Sequence, residues 1–397
     1  MPLARRVNQI QASQTLAITN LVDTLRRDGK DIIDLGAGEP DFETPQLIKD
    51  AGIKAIRQGY TKYTHSAGSL ELRQAICEKL KRENGLDYTP SEIIVTCGAK
   101  HAIINVLLAL CQEGDEVILQ SPYWTSYVEQ IRLVDATPVI LPTDESSDFK
   151  FSPQQLQQAI TSRTKLLIIN SPSNPTGAVY TASEFRAIAE VLKRTDIYIL
   201  TDEIYEKLIY DNEKHASLAA FPELQERTIV VNGVSKAYSM TGWRIGYLAA
   251  KSEIIKAASK IQSHMTSNPT SISQWASIAA LRANSKIVEN MAAEFARRRN
   301  DLFSRVRELP GIHCMLPKGA FYLFPNVSGN FGLKYKNQTI QSSMDLCSYL
   351  LEEEGVALVP GEAFGSKNNV RISYATSMKN LQEAALRMER GLRKLRR

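Results

Sequence analysis

Cysteine is scarce in this chain and shows no pairing pattern: five residues in 397, Cys77, Cys97, Cys111, Cys314 and Cys347, with no CxxC spacing. That scatter excludes a disulfide framework and offers no metal-ligand spacing, so reduced thiols and no bound metal are expected. Long apolar runs are lacking too. None approaches the roughly 18 to 20 residues that cross a bilayer, and no charged-then-apolar leader opens the sequence, so no membrane partner and a cytoplasmic location are expected. Charge of one sign is also missing. Lys and Arg number 48 against 43 Asp and Glu, a net charge of +5, and the two signs are mostly interleaved. The main basic cluster, residues 387–397, has the spacing of a terminal helix's polar face, and no nucleic-acid partner is expected from it. The mild positive balance suits a pocket that attracts dicarboxylates. There is no internal repeat and no low-complexity tract.

What is present describes an ordinary soluble protein: 43% hydrophobic and 23% charged residues, with 21 Gly and 16 Pro spread along the chain. Its length suits two domains, or one large domain with a satellite. From about residue 46 to residue 250, short apolar runs alternate with longer amphipathic stretches, as strand-helix crossovers in a parallel sheet require. The runs predict strands at 93–97, 116–120, 137–141, 165–170, 198–202, 228–232 and 244–249. Helices are expected between them at 69–83, 100–111, 124–133, 153–159 and 182–193. A polar-rich run at 286–309 reads as a helix connecting two domains. Beyond it, expected strands at 320–324, 356–359 and 370–374 and a helix near 344–354 read as a smaller α+β unit. The boundaries that follow are an N-terminal arm at 1–45, joined to the small domain, a large domain at 46–290, and a small domain at 291–397.

The chemistry starts at Lys236. It lies in Val234-Ser235-Lys236-Ala237-Tyr238-Ser239-Met240-Thr241-Gly242-Trp243-Arg244, which follows an apolar run yet is too polar for an inner strand. A loop leaving a sheet edge is expected. Small neighbours leave room around the amine, and Arg244 can bring a planar fork to a phosphate. An amine with a phosphate anchor points to pyridoxal 5′-phosphate. An isolated lysine is a solvated surface charge, so the context carries the reading. The strand at 198–202 ends on Asp202, and ligands of α/β sheets lie beyond the carboxyl ends of the strands. A buried carboxylate there favours a protonated pyridine nitrogen. Tyr205, three residues on, and Asn174, in a Pro/Gly turn after another strand, can reach the ring's phenolic oxygen. Thr96-Cys97-Gly98-Ala99-Lys100 supplies a tight turn into a helix, whose free N–H groups attract anions. Trp124 offers a flat face for stacking, although core packing explains a Trp equally well.

These motifs resemble the class I aminotransferases of pyridoxal-phosphate fold type I, most closely the bacterial aspartate aminotransferases of subgroup I-beta. The likeness spans nearly the whole chain, from Leu35-Gly36-Ala37-Gly38-Glu39-Pro40-Asp41-Phe42 through Tyr60 to Tyr63, Ser121 to Trp124, Asn170 to Gly177, Asp202 to Tyr205 and Gly233 to Gly246, to Gly319 to Tyr322 and Val370 to Ala375. It implies an α/β fold with a mainly parallel sheet in the large domain and a smaller α+β domain. It further implies that Lys236 holds the cofactor covalently and shuttles the proton, and that Asp202 pairs with the ring nitrogen. Tyr205 and Asn174 would then contact the phenolic oxygen, and Trp124 the ring. Gly98, Ala99, Lys100, Ser235 and Arg244 would surround the phosphate, and Arg371, with Asn174 and Gly38, would grip the substrate α-carboxylate. Tyr63 would reach the phosphate of a second subunit, implying a homodimer with shared sites. Gly233 departs from the pattern: many relatives have a hydroxyl residue there.

The implied reaction moves an amino group between L-aspartate and 2-oxoglutarate, giving oxaloacetate and L-glutamate. Lys100 and the arm residues Ser13 and Thr15 would read the distal carboxylate. Where relatives that accept prephenate carry a cation in the arm, this chain has Gln11, so weak prephenate activity is expected. Broader activity on aromatic amino acids and a cofactor-dependent C–S lyase are alternatives. A pyridoxal-binding regulator is disfavoured because no helix-turn-helix precedes residue 30, and a non-catalytic binding protein because the set of site residues is intact.

Overall fold

The computed structural model describes residues 3–12 and 14–397. Seven strands form one sheet: β1 (Ile93–Thr96), β2 (Glu116–Ser121), β3 (Thr137–Pro142), β4 (Thr164–Asn170), β5 (Tyr198–Asp202), β6 (Thr228–Gly233) and β7 (Gly246–Ala249). Their spatial order is β1-β7-β6-β5-β4-β2-β3. All neighbours are parallel except at β7, which runs antiparallel to both β1 and β6.

The inner strands read as unbroken apolar runs because both faces of the sheet are covered. Adjacent residues of one strand enter different cores, as the two-residue side-chain period demands. Leu119, Ile168, Leu200 and Val231 pack with Ile103 and Val106 of the helix Ala99–Leu110. Ile118, Leu167, Ile169 and Ile199 pack on the opposite face with Phe185 and Ile188 of the helix Ala182–Leu192. That helix starts on a reciprocal cap, with Thr181 accepting from the Glu184 N–H and Glu184 accepting from the Thr181 N–H.

A second, antiparallel sheet has the strand Val370–Ser373 between Tyr322–Leu323 and Val359–Pro360. It shares a core with the long helix Lys286–Val306, where Phe295 stacks on Phe321. Near the N-terminus, Ile33–Asp34 pairs in parallel with Val356–Ala357.

All seven expected strands of the large sheet are present, with altered ends. The run expected from 244 begins at Gly246, because Arg244 is left-handed at φ +56. The loop carrying Lys236 leaves an inner strand, β6, and not the edge of the sheet. The strand expected at 320–324 shrinks to Tyr322–Leu323: Ala320 has φ +57, and its N–H bonds Leu208 O. The run expected at 356–359 divides between two sheets. Among the described residues no helix is long and apolar enough to cross a membrane.

Candidate active site

Because six strands of the large sheet run the same way, their carboxyl ends open on one edge, the usual place for a ligand in such a sheet. β7 runs the other way, so Arg244, two residues before it, arrives at the same edge. A cavity of about 490 Å³ lies there. Its wall includes Gly38, Ala99, Lys100, Trp124, Asn174, Asp202, Tyr205, Ser235, Lys236, Arg244 and Arg371. Gly98 caps the helix that brings Ala99 and Lys100 to the wall.

Asp202 ends β5 at 3% exposure. Its Oδ2 accepts from the Tyr127 hydroxyl at 2.6 Å and its Oδ1 from the Ile204 N–H at 3.2 Å. Burial pushes this carboxyl up to about 6, against the pull of the Tyr127 bond. Lys236 is half-buried, and its Nζ donates to Gly38 O at 2.6 Å. Burial lowers the amine to about 8, with Arg371 and Arg244 pushing the same way and Glu39 opposing. A neutral amine is therefore accessible near physiological pH.

Arg371 is almost wholly buried, held by bonds from Nη1 to Asn174 Oδ1 at 3.0 Å and from Nη2 to Gly36 O at 2.6 Å. Its Nε has no hydrogen-bond partner among the described residues. Asn174 is fixed in turn, its N–H donating to Asn170 Oδ1 and Asn170 Nδ2 donating to Asp202 O. The Tyr205 and Tyr322 hydroxyls bond each other at 2.8 Å.

The helix Ala99–Leu110 begins at Gly98 with no side-chain cap, so its first N–H groups stay available. Gly98 has φ +80, and a Cβ there would stand 2.5 Å from Arg244 Nη2, so only glycine leaves room for the guanidinium against the helix start. Arg244 is held by bonds to Thr241 O at 2.8 Å and Cys97 O at 3.3 Å. An uncapped helix start beside a guanidinium is an anion cradle. Lys100 Nζ lies 5.2 Å from the centre of the Trp124 ring. Burial and Arg244 lower its amine.

Tyr63 stands apart, 89% exposed and off the cavity wall. Ser13 and the side chain of Thr15 lie outside the described residues. Gln11 meets the helix Ser126–Leu133, its N–H bonding Glu129 Oε2 at 2.8 Å.

Two residues of the site escape sequence reasoning. Tyr127 lies three positions after Trp124, and the rings meet edge to face at 5.2 Å. Spacing of three at a helix start is the signal that would have joined them. Tyr322 pairs in register with Ser373, two residues from Arg371, so Arg371 and Tyr322 are diagonal neighbours on one face. Away from the cavity, Glu203, Glu206 and His215 bring ligand-type atoms within 4.8 Å of one another. Lys79 and Asn84 donate to Glu206, and His215 pairs with Glu203 at 2.9 Å, so these charges are met from within.

The family description "Aminotransferase class I and II" matches residues 30–388. The chain is 49% identical to an aspartate aminotransferase of Bacillus subtilis, covering 99% of this chain and 100% of that protein. It is 50% identical to an aspartate aminotransferase of Geobacillus stearothermophilus, covering 98% of each. The crystal structure of an aspartate aminotransferase from Rhizobium meliloti is similar over 100% of both chains, with a TM-score of 0.96 and 43% identity.

Proposed function

The chain belongs to the class I and II aminotransferases, and from that premise we propose that it is an aspartate aminotransferase, reversibly exchanging the amino group of L-aspartate with 2-oxoglutarate. The observation that carries this reading is the convergence on one cavity of Lys236, Asp202, Arg371 and the uncapped helix start beside Arg244. The family implies pyridoxal 5′-phosphate, and the residues present fit it: a cradle that a single Cβ at Gly98 would fill, a buried carboxyl and a half-buried amine. When bound, the cofactor supplies a protonated ring that accepts the electron pair left on the α-carbon.

The residues of the chain do the rest. Asp202 holds the ring nitrogen protonated, and Trp124 stacks on the ring. The amides of Ala99 and Lys100, with Gly98 leaving room beside them and with Ser235 and Arg244, would hold the phosphate. Tyr205 and Asn174 bond the phenolic oxygen. Arg371, with Asn174 and Gly38, takes the α-carboxylate as a planar fork. The neutral Nζ of Lys236 would take the α-proton and, within the same half of the exchange, hand a proton to the cofactor's carbon; the second half runs these two transfers in reverse.

The distal carboxylate falls to Lys100, with Ser13 and Thr15 of the arm. A steady-state comparison of aspartate with alanine tests this. Lys100→Ala should lower kcat/KM for aspartate by about 10- to 100-fold, the worth of a hydrogen bond to a charged group, and leave alanine nearly unchanged. Equal losses for both substrates would refute the assignment.

The reading includes a homodimer in which Tyr63 reaches the partner's phosphate. Its support is the exposure of Tyr63 near Tyr60, Ile53 and Ile56, which are 41%, 44% and 55% exposed. It also includes a division near residue 290, with residues 1–45 belonging to the small domain, supported by the pairing of Ile33–Asp34 with Val356–Ala357.

A further inference from the structure

Tyr205 and Tyr322 form a closed pair, hydroxyl to hydroxyl at 2.8 Å, with the two residues 4% and 0% exposed. Such a pair can be ordered in two ways, and the surroundings choose between them. The Arg371 guanidinium lies 4.5 Å from the centre of the Tyr322 ring. A cation over a ring face draws electron density from it and makes its hydroxyl the stronger acid and donor. Burial raises both hydroxyls and Arg371 opposes the rise at both; at Tyr322 it is the largest opposing influence, whereas Tyr205 is driven well above the ordinary range, its bond to Tyr322 and then Asp202 adding to the rise. Lys236 also faces the pair, its Nζ 5.8 Å from the Tyr205 ring centre.

Resting on the cofactor assignment above, we infer that Tyr322 is a positioning residue whose hydroxyl donates to the Tyr205 oxygen, so that Tyr205 keeps its own proton for the cofactor's phenolic oxygen. Hydrogen bonds in a chain strengthen one another in a low-dielectric interior. Tyr322 therefore makes Tyr205 the stronger donor, and it ties the arginine that grips the α-carboxylate to the oxygen of the cofactor ring through one side chain.

The test is a pH titration of the cofactor's absorption band in the substrate-free holoenzyme, for wild type, Tyr322→Phe, Tyr205→Phe and the double variant. A weaker bond to the phenolic oxygen leaves more negative charge there to hold the cofactor's proton. Tyr322→Phe should therefore raise the midpoint by about half a pH unit, roughly threefold in the proton equilibrium. Tyr205→Phe should raise it further, and adding Tyr322→Phe to Tyr205→Phe should change nothing. A merely structural role would not abolish the second shift. A midpoint that Tyr322→Phe leaves in place, or a shift that persists in the Tyr205→Phe background, overturns the inference. If Tyr322→Phe does not fold, Tyr322→Leu runs the same cycle with the same two readings. No band in wild type removes the cofactor assignment and this inference together; a normal wild-type band unmoved by Tyr322→Phe removes this inference alone.

Discussion

Asp202 shows what it costs to bury a single carboxyl at the wall of a cavity. Burial raises its carboxyl from 3.8 to about 6. A folded-state value above the unfolded one means that the group's favourable share of stability is complete below about pH 4 and is lost as pH rises through about 6. At neutral pH the cofactor-free protein should thus carry a penalty of about 3 kcal/mol at this site. Asp202→Asn, neutral throughout, should be more stable than wild type without cofactor, by a margin that widens between pH 5 and pH 7.5. Denaturant unfolding of the two cofactor-free proteins checks this, and a constant margin would count against it. The same variant should bind the cofactor more weakly. Asp202 and Lys236 were legible in the sequence because one ends a strand and the other lies in a polar loop after one, whereas Arg371, inside the strand Val370–Ser373, rested on the family resemblance. Tyr127 and Tyr322 were not, because their partners, Asp202 and Tyr205, lie 75 and 117 residues away and meet them only through packing.

At the scale of elements, the site depends on how closely β7 approaches the start of the helix Ala99–Leu110. Gly246 makes this possible: a Cβ there would stand 2.4 Å from the Ala99 backbone nitrogen, and its cross-strand partner is Gly233. Neither backbone can yield without disturbing the sheet. Gly246→Ala should cost about 1 to 3 kcal/mol, the usual penalty of overpacking, and should loosen the cradle around Arg244. Gly242→Ala, which meets nothing within 4 Å, should be nearly neutral. Thermal melts of both variants measure the contrast. The strands of the large sheet were readable because full burial leaves short, unbroken apolar runs. The starts of the strands expected at 244–249 and, in the second sheet, 320–324 were not, since Arg244 and Ala320 take left-handed backbone that neither residue type favours. Tertiary contacts hold Arg244 against Gly98 and tie Ala320 to Leu208, overriding local preference.

At the scale of the whole molecule, the proposed homodimer makes a prediction no single chain can meet. If Tyr63 serves the partner's site while Lys236 serves its own, two inactive variants should complement each other. Co-refolding Tyr63→Ala with Lys236→Ala in equal amounts should restore about one quarter of wild-type activity, since half of the dimers are mixed and each has one intact site. No recovery would mean that Tyr63 does not act across subunits. The long helix beginning at Lys286 was legible in the end of strand-helix alternation. The pairing of the N-terminal arm with Val356–Ala357 was less so, because two-residue strands leave no periodic trace. The central claim concerns Lys236, and the absorption spectrum of the purified holoenzyme before and after addition of aspartate tests it most directly. Wild type should show a bound-cofactor band that moves to the pyridoxamine form with aspartate, and Lys236→Ala should lack both the covalent band and the catalytic conversion. An unchanged band in Lys236→Ala, or no response of the wild-type band to aspartate, would contradict the account.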